Sequence, residues 1–375
     1  MAGIYIHIPF CKSKCIYCDF CSITKLALSN DFLVALNHEF AFRKNEFQNE
    51  TIETIYFGGG TPSLLKTSEI QSILEGINKN YAVAKNPEIT IEVNPDDISF
   101  DYLKQLLKTG INRLSIGIQS FDDAILRFLG RRHNSNQAEQ TIVNAIKAGF
   151  KNISTDIIFG IPGLTMAEIT KCLDLFIKYK VQHISAYHLT YENGTKLYKL
   201  LDSEKIKLID EDFSLEQFTT IENHLKSNDY VHYEISNYSL QGYESKHNTN
   251  YWNGIPYLGF GPSAHSYNNN IRSWNTNNLN TYISKICEGK LPSRKEKLTK
   301  KMQYNEFIMT SLRTCRGVDP EKLKEIFGIK HYNDFVVAID KYIKSNHIAI
   351  NNKNYILTSQ GMFLSDGIIS DLFKV

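Results

Sequence analysis

The chain has 375 residues, of which 42% are hydrophobic and 22% are charged, a composition that is ordinary for a globular protein. Its 42 Lys and Arg against 40 Asp and Glu leave a formal net charge of +2, so bulk charge indicates no nucleic acid or other strongly charged partner. No apolar run approaches the roughly 20 residues of a membrane span, and the first residues lack the basic segment and cleavage site of a signal peptide.

Strand-like and helix-like segments alternate regularly through the first two thirds of the chain. Runs rich in β-branched and aromatic residues predict six strands, at 3–10, 51–59, 88–95, 112–119, 153–160 and 183–190. Amphipathic patterns predict helices between them, at 30–45, 68–80 and 135–150 among others. This alternation predicts parallel strands with right-handed crossovers, in a doubly wound sheet or in a barrel. Six repeats are fewer than the eight of a closed barrel.

The pattern changes after about residue 238. Residues 244–270, rich in Gly, Asn, Pro and aromatics, predict a long ordered loop, and the charged residues 293–302 predict a connector. Helices are predicted farther on, followed by a hairpin at 348–358. Helices and a hairpin in this order are typical of a winged-helix-type module.

We therefore predict an α/β fold, a partial (β/α)6 barrel with a smaller C-terminal α+β domain that is winged-helix-like. The predicted domains are the barrel at 1–238, a connecting segment at 239–290 and the C-terminal domain at 291–375. This last domain has an excess of positive charge, but much of it falls in the connector and no recognition-helix cluster of Arg follows. We expect no nucleic acid partner.

Four of the seven cysteines lie within eleven residues. The spacing Cys11-x3-Cys15-x2-Cys18 places three thiolates on a loop that leaves the first strand, which suits three irons of a [4Fe–4S] cluster with the fourth iron open. A zinc knuckle is the alternative, because Cys18 and Cys21 form a CxxC pair, although structural zinc usually takes two separated pairs. The crowding and the odd number disfavour a secreted disulfide scaffold and suit a reducing cytosol.

The residues around these cysteines resemble the radical S-adenosylmethionine (SAM) superfamily. Residues 5–11 (YIHIPFC) and 15–20 (CIYCDF) are similar in particular to the branch that contains oxygen-independent coproporphyrinogen III oxidase and the haem chaperone HemW. The resemblance covers nearly the whole chain. It implies that Cys11, Cys15 and Cys18 bind the cluster and that the open iron chelates the amino and carboxylate groups of SAM. An electron from the cluster can then cleave SAM to a 5′-deoxyadenosyl radical, a chemistry that belongs to the cofactor.

Residues at other strand ends match the SAM site of this family. Residues 58–62 (GGGTP) follow the second strand, and their glycines let backbone N–H groups approach a ligand closely, whereas a plain turn needs at most one. Glu92 lies near the end of the third strand and suits ribose hydroxyl groups. The resemblance implies that SAM is bound by Tyr5, Tyr17, Gly59, Gly60, Thr61, Glu92, Gln119, Arg131 and Asp156.

Some of these assignments depend on the resemblance alone. By themselves Gln119, Arg131 and Asp156 would be interpreted as structural or surface residues, and in the oxidase these positions belong to a second SAM site. Tyr5 and Tyr17 would be interpreted as packing aromatics.

Two features distinguish this chain from the oxidase. The oxidase carries a fourth cysteine two positions after the third, where this sequence has Phe20. It also has a long N-terminal segment ahead of the first strand, whereas Tyr5 already lies in the first predicted strand here. Both features favour the haem chaperone.

Residues 247–252 (HNTNYW) match the HNxxYW pattern that is associated with haem handling in HemW-like proteins. The resemblance implies that His247, Tyr251 and Trp252 bind haem, since His is a common haem ligand and aromatic rings stack on porphyrins. The alternative is that His247 caps a loop and Trp252 packs the barrel against the second domain. For Cys21 we favour a bystander thiol over a fourth cluster ligand or a haem thiolate.

The sequence thus supports two hypotheses. The one that we favour is a haem chaperone that carries a cluster and SAM, binds haem and delivers it to respiratory haem proteins. The alternative is the oxidase, which decarboxylates two propionates of coproporphyrinogen III and needs basic groups for four carboxylates. We expect an electron donor such as a flavodoxin or ferredoxin, a cytoplasmic location with membrane association only through partners, and the homodimer that the family suggests.

Overall fold

A computed structural model describes residues 1–47 and 50–374. Its described residues form one sheet of twelve strands in the order β12-β11-β10-β9-β1-β2-β3-β4-β5-β6-β8-β7. The strands are β1 Ala2–Ile8, β2 Ile52–Gly59, β3 Val83–Val93, β4 Arg113–Gln119, β5 Ile153–Phe159, β6 His183–His188, β7 Val231–Glu234, β8 Asn237–Ser239, β9 Tyr257–Phe260, β10 His265–Asn268, β11 Ile271–Asn275 and β12 Ser293–Lys297.

The helices lie between these strands and after them. They are α1 Ser29–Arg43, α2 Thr67–Asn80, α3 Phe100–Lys108, α4 Asp123–Leu129, α5 Ser135–Ala148, α6 Met166–Lys178, α7 Lys196–Asp202, α8 Glu211–Lys226, α9 Lys246–Trp252, α10 Leu279–Cys287, α11 Lys300–Leu312, α12 Pro320–Phe327, α13 Ile329–Lys344, α14 Ser359–Phe363 and α15 Ser365–Asp371. Short 3-10 helices occupy Leu26–Leu28 and Pro62–Leu64, and the hairpin β13 Ile348–Asn351 and β14 Asn354–Leu357 precedes α14.

The six predicted strands are confirmed as β1 to β6, which pair in parallel in chain order. In β1, Ile4, Ile6 and Ile8 are fully buried in the main hydrophobic cluster. Tyr5 and His7 alternate with them and hydrogen-bond to each other on the opposite face of the strand. Among the described residues β7 and β12 are the two edge strands of the sheet and do not pair with each other. The six-repeat barrel is therefore open, as predicted.

The helices follow from local signals in the sequence. Asn134 caps α5 by accepting a hydrogen bond from the backbone N–H of Gln137, whose side chain accepts in return from the backbone of Asn134. The helix ends at Gly149, whose φ of +108° a residue with a side chain rarely adopts. Between these ends the spacing of its buried residues gives α5 one buried face.

The segment 244–270 differs from the predicted loop, since it contains α9, β9 and β10. The cause is tertiary: the carboxylate of Glu88 accepts hydrogen bonds from the first backbone N–H groups of α9, and β9 pairs in parallel with the edge of β1. The predicted connector also differs, because its residues form β12 and the start of α11. The charges of β12 are typical of an exposed sheet edge, which Lys and Glu protect against further pairing. The domain boundaries stay a prediction.

The C-terminal helices and hairpin form the predicted smaller α+β domain. It is joined to the sheet beyond β7 by backbone hydrogen bonds, from Ile235 N–H to the Arg313 carbonyl and from Cys315 N–H to the Tyr233 carbonyl. No helix in the described part of the chain is both long and apolar enough to cross a membrane.

A buried ion pair fastens α1 to the strands beside β1. Arg43 and Glu39 are each at most 2% exposed, and their side chains lie 3.1 Å apart. Arg43 also donates to the Gly259 carbonyl at 2.7 Å, and Glu39 accepts from Asn275 at 2.8 Å. In the folded protein every charged atom of the pair has a partner. If one of the two residues were removed, the other would remain as an uncompensated buried charge.

We therefore expect Arg43→Met to lower the free energy of unfolding by about 3–5 kcal/mol. Glu46→Gln is the matched control, because Glu46 bonds to the same guanidinium from a half-exposed position and should contribute no more than about 1 kcal/mol. Urea unfolding followed by far-UV circular dichroism measures both. Equal stabilities of the two variants would contradict this view of the ion pair.

Candidate functional site

A cavity of about 710 Å³ lies at the carboxyl ends of the parallel strands. Its wall includes the loop after β1, the turn after β2 and the ends of β3 to β6, and residues 362–366 of α14 and α15 close one side. Open α/β sheets bind ligands at this edge, because the loops that follow the strands converge there.

The loop after β1 carries three cysteines into this cavity. Cys11 is buried, Cys15 and Cys18 are half-buried, and all three line the wall. Backbone hydrogen bonds fix the loop at its start and in its middle, from Cys11 N–H to the Ile23 carbonyl and from Ile16 N–H to the Leu129 carbonyl. Local turns at fixed anchor points therefore hold the thiols together.

The thiols are close enough to affect each other's ionisation. The pKa of Cys18 is raised to about 11, mainly by burial and also by the neighbouring Cys15 and Cys11. Thiolates gathered this way need cations to stay ionised, and iron–sulfur clusters are held by such sets. Among the described residues no three His, Cys, Asp or Glu side chains converge as ligands of a single ion. A [4Fe–4S] cluster does not need its ligands to converge on one ion, because each thiolate binds a different iron at the outside of the cluster. The three cysteines therefore fit a [4Fe–4S] cluster.

Two side chains donate hydrogen bonds to these sulfurs. The hydroxyl of Thr61 lies 3.3 Å from Cys11 Sγ, and Arg131 Nη1 lies 3.6 Å from Cys15 Sγ. Thr61 follows Gly60, where a Cβ would stand 2.7 Å from the Phe10 carbonyl oxygen. Only glycine permits this close approach of the turn to the cysteine loop.

Two half-buried carboxylates line the cavity, one on β3 and one on β5. Glu92 accepts a hydrogen bond from Tyr56 at 2.9 Å, and burial raises its pKa to about 7. Burial also raises the pKa of Asp156 to about 6, and Asp156 Oδ1 has no hydrogen-bond partner in the described part of the chain. Since unpaired buried acceptors are costly, they favour a ligand that brings hydroxyl or amino donors.

Arg131 supplies the opposite charge. Its Nη2 donates to Asn94 Oδ1 at 2.6 Å and to the Gly117 carbonyl at 2.8 Å, whereas its buried Nε has no partner among the described residues. Gln119 lines the cavity beside it, in a left-handed conformation with φ of +67° at the end of β4. A guanidinium without a carboxylate partner suits an anionic ligand group.

The structure brings eight of the nine predicted SAM residues to one cavity. They are Tyr17, Gly59, Gly60, Thr61, Glu92, Gln119, Arg131 and Asp156. Tyr5 is the exception, since its ring stacks on Tyr56 at 6.2 Å and its hydroxyl bonds to His7 Nδ1 at 3.2 Å. The assignment of all nine to SAM binding stays a prediction.

Sequence reasoning missed other parts of the wall. Asn94 bonds to both Arg131 and Thr61, and its place directly after β3 was a signal that could have identified it. Phe218, Met362 and Phe363 form part of an apolar side of the same cavity. They carry no local signal, because they reach the site from helices far along the chain.

The three predicted haem residues lie elsewhere. His247 is buried toward the amino ends of β1 to β3, with Nδ1 bonded to Thr54 and Nε2 bonded to Tyr251, each at 2.8 Å. Tyr251 and Trp252 line a second cavity that His247 does not reach. The guanidinium of Arg313 lies over the ring of Trp252, 4.6 Å from its centre. This contact is of the kind expected if Trp252 packs the barrel against the second domain. Haem binding by these residues stays a prediction.

Cys21 is turned away from the other cysteines. Its thiol donates to the Asn277 carbonyl at 3.3 Å, and its own carbonyl is hydrogen-bonded to His7 Nε2 at 2.8 Å. Cys21 is not part of the described wall of the first cavity. These contacts agree with the interpretation of a bystander thiol, which stays a prediction.

Comparison with known proteins gives concordant matches. The family model of the Radical SAM superfamily matches residues 5–176, and that of the HemN C-terminal domain matches residues 298–364. Heme chaperone HemW of Lactococcus lactis is 32% identical over 97% of this chain and 95% of its own length. Heme chaperone HemW of Bacillus subtilis is 31% identical over 98% of each chain.

A solved structure supports the same fold. Coproporphyrinogen III oxidase (HemN) from Escherichia coli superimposes with a TM-score of 0.85 and 21% identity, covering 100% of this chain and 90% of that one. At this identity the likeness concerns the fold alone. It agrees with the large, mostly parallel sheet and the small C-terminal domain described above.

Thr61→Val should lower the midpoint potential of a bound [4Fe–4S] cluster, because a hydrogen bond to a ligand sulfur stabilises the more negative reduced state. We expect a shift of about 40 mV, the equivalent in a one-electron couple of the ~1 kcal/mol of one hydrogen bond. Spectroelectrochemical titration of anaerobically reconstituted protein measures the potential.

Ser63→Ala is the control for this measurement, since Ser63 is buried in the same turn but bonds to the backbone of Asn94 and not to a thiol. Replacement of Cys11, Cys15 and Cys18 by Ala gives the baseline, because that variant should lose the brown chromophore. A potential that Thr61→Val leaves unchanged would show that this hydroxyl does not act on the cluster.

Proposed function

The chain belongs to the radical SAM superfamily and, within it, to the family of the HemW heme chaperones, and on that premise we propose that it carries a [4Fe–4S] cluster and SAM, binds haem and delivers it to respiratory haem proteins. The observation that carries the proposal is the identity to HemW proteins along nearly the full length of both chains. The cavity beside the three cysteines supports the cofactor part.

In this proposal Cys11, Cys15 and Cys18 hold three irons of the cluster. When bound, the cluster supplies an electron and an open iron for SAM. Arg131 pairs with the carboxylate of SAM, because in the described part of the chain its guanidinium forms no ion pair with a carboxylate and its Nε has no partner. Glu92 accepts hydrogen bonds from ribose hydroxyl groups. The backbone of the turn at 59–61 lines the cavity next to the cysteines, where it can approach the methionine end of SAM.

The charges around the first cavity favour a chaperone over an oxidase. A substrate with four carboxylates needs several free cations. The cations on the described wall are Lys12, Lys14, Arg131, Arg132 and Arg313. Three of them are already paired with carboxylates of the chain itself, Lys12 and Arg132 with Asp97, and Arg313 with Glu234. Little positive charge therefore remains for coproporphyrinogen III.

A paired assay tests the proposal. Reconstituted protein should bind haem and transfer it to an apo-haem protein, and the absorbance of the acceptor measures this transfer. It should not convert coproporphyrinogen III when SAM and a reductant are supplied. Multiple turnovers to protoporphyrinogen IX would establish the oxidase instead. A failure to take up haem, with cluster and SAM bound, would contradict the chaperone.

SAM binding should depend on pH through Glu92. Its pKa of about 7 lies above the ordinary value, so lowering the pH through 7 protonates the carboxylate and removes an acceptor. If only the ionised form binds, affinity falls about tenfold from pH 8 to pH 6. Anaerobic isothermal titration calorimetry measures this dependence, and Glu92→Gln should abolish the step near pH 7.

Asp156→Asn is the matched variant for this test. The charge of Asp156 contributes to the raised pKa of Glu92, so its removal should retain the step but move it to lower pH. A step that persists at the same pH in Glu92→Gln would show that another group controls SAM binding.

A further inference from the structure

Two positive and two negative side chains meet at the edge of the cysteine loop. Lys12, which directly follows Cys11, pairs with Asp97 at 2.7 Å. Arg132 pairs with the same carboxylate oxygen at 2.8 Å and also contacts Asp96. Because Asp97 follows β3, these ion pairs join the loop after β1 to the end of the next strand but one in the sheet.

The segment between the first two cysteines depends on side chains for its attachment. Among the described residues, the backbone of 12–14 forms no hydrogen bond to another backbone group. Lys14 donates to the Phe20 carbonyl at 3.3 Å, a bond within the same loop. Lys12 instead reaches across to Asp97. This ion pair therefore links the segment to the sheet.

Asp97 is placed to hold both cations. Its side chain is 0% exposed, whereas those of Lys12 and Arg132 are 43% and 32% exposed. Burial acts to raise the pKa of Asp97, but the hydrogen bonds from Lys12 and Arg132 outweigh it, and the pKa lies below its ordinary value. An ionised carboxylate that has lost its water is stable only when it is paired, so Asp97 requires these partners.

The same carboxylate is connected to the two side chains that donate to cysteine sulfurs. Its second oxygen accepts from Asn94 Nδ2 at 3.4 Å, and its backbone N–H donates to the Asn94 carbonyl at 3.1 Å. Asn94 in turn bonds to Thr61 and to Arg131, the two sulfur donors. Asp97 thus contacts the cysteine loop on one side and the partner of both sulfur donors on the other.

We propose that Asp97 is a positioning residue of the iron–sulfur site, which holds the segment between Cys11 and Cys15 in the conformation that binds the cluster. It acts through Lys12 on the loop and through Asn94 on the sulfur donors. The proposal rests on the cluster of the proposed function and adds which residue outside the ligand set retains it. Since outer partners orient the ligands of a metal site, a weaker link makes the cluster easier to remove.

Removal of the cluster by an iron chelator tests this link. In anaerobically reconstituted Asp97→Asn, bathophenanthroline disulfonate should bleach the brown chromophore about tenfold faster than in the wild type, because a neutral amide replaces the carboxylate that holds both cations. Lys12→Met should bleach faster as well. Because Lys12 is exposed, this variant tests the link even if Asp97→Asn does not fold. The double variant should bleach no faster than Asp97→Asn alone, since Lys12 acts through Asp97.

Two matched variants control for charge and position. Lys14→Met removes the other lysine of the segment, whose bond stays within the loop. Asp96→Asn removes the neighbouring carboxylate, which pairs with Arg132 but not with Lys12. Both should bleach within about twofold of the wild type, because exposed or partly exposed pairs contribute little.

The midpoint potential of the cluster distinguishes a specific link from a general loosening of the fold. Asp97→Asn removes negative charge near the cluster and should raise the potential, whereas Lys12→Met removes positive charge and should lower it. Potentials that shift in the same direction, or a bleaching rate that both variants leave unchanged, would overturn the role of Asp97. Wild-type protein that takes up no cluster would instead contradict the cofactor part of the proposed function, so the two failures are distinguishable.

Discussion

The close approach of the turn after β2 to the end of β1 is the constraint on which the first cavity depends. Gly60 N–H donates to the Ile8 carbonyl at 2.8 Å, and a side chain at Gly60 would collide with the Phe10 carbonyl. Thr61 follows Gly60 and Cys11 follows Phe10, and this approach places Thr61 beside Cys11. Parallel pairing of β1 and β2 thus brings a glycine turn and the first cysteine together, although about fifty residues separate them in the chain.

The cavity is also built at an energetic cost that a ligand can offset. Glu92 and Asp156 are half-buried, and the desolvation of their carboxylates raises both pKa values. The Nε of Arg131 nearby also lacks a hydrogen-bond partner among the described residues. Groups that lose water without gaining partners destabilise the fold, so a ligand that satisfies them stabilises the folded state by mass action. The arrangement is preorganised for a molecule that carries donors and an anionic group.

The sequence predicted those features that depend on local patterns. Strand periodicity located β1 to β6, cysteine spacing located the thiol loop, and residues at strand ends located part of the cavity wall. Tyr5 was predicted to bind SAM because it lies near the cysteines in the sequence. In the structure the alternation of side chains along β1 directs its ring onto Tyr56.

Features that depend on distant partners could not be predicted in this way. The helix α9 and the strand β9 require Glu88 and the edge of β1, and neither leaves a periodic signal in 244–270. Met362 and Phe363 reach the cavity only because the C-terminal domain folds back over the sheet. Local propensity is weak in such segments, and tertiary contacts decide their structure.

The interior of the barrel links the two cavities through side chains in contact. Tyr251 bonds to His247, the ring of His247 stacks on Tyr56 at 5.1 Å, and Tyr56 donates to Glu92. The middle contact is a ring stack and not a hydrogen bond. Desolvation also lowers the pKa of His247 to about 3, which keeps the ring neutral. This column of contacts therefore holds Tyr251 and Glu92 in position, each at its own cavity.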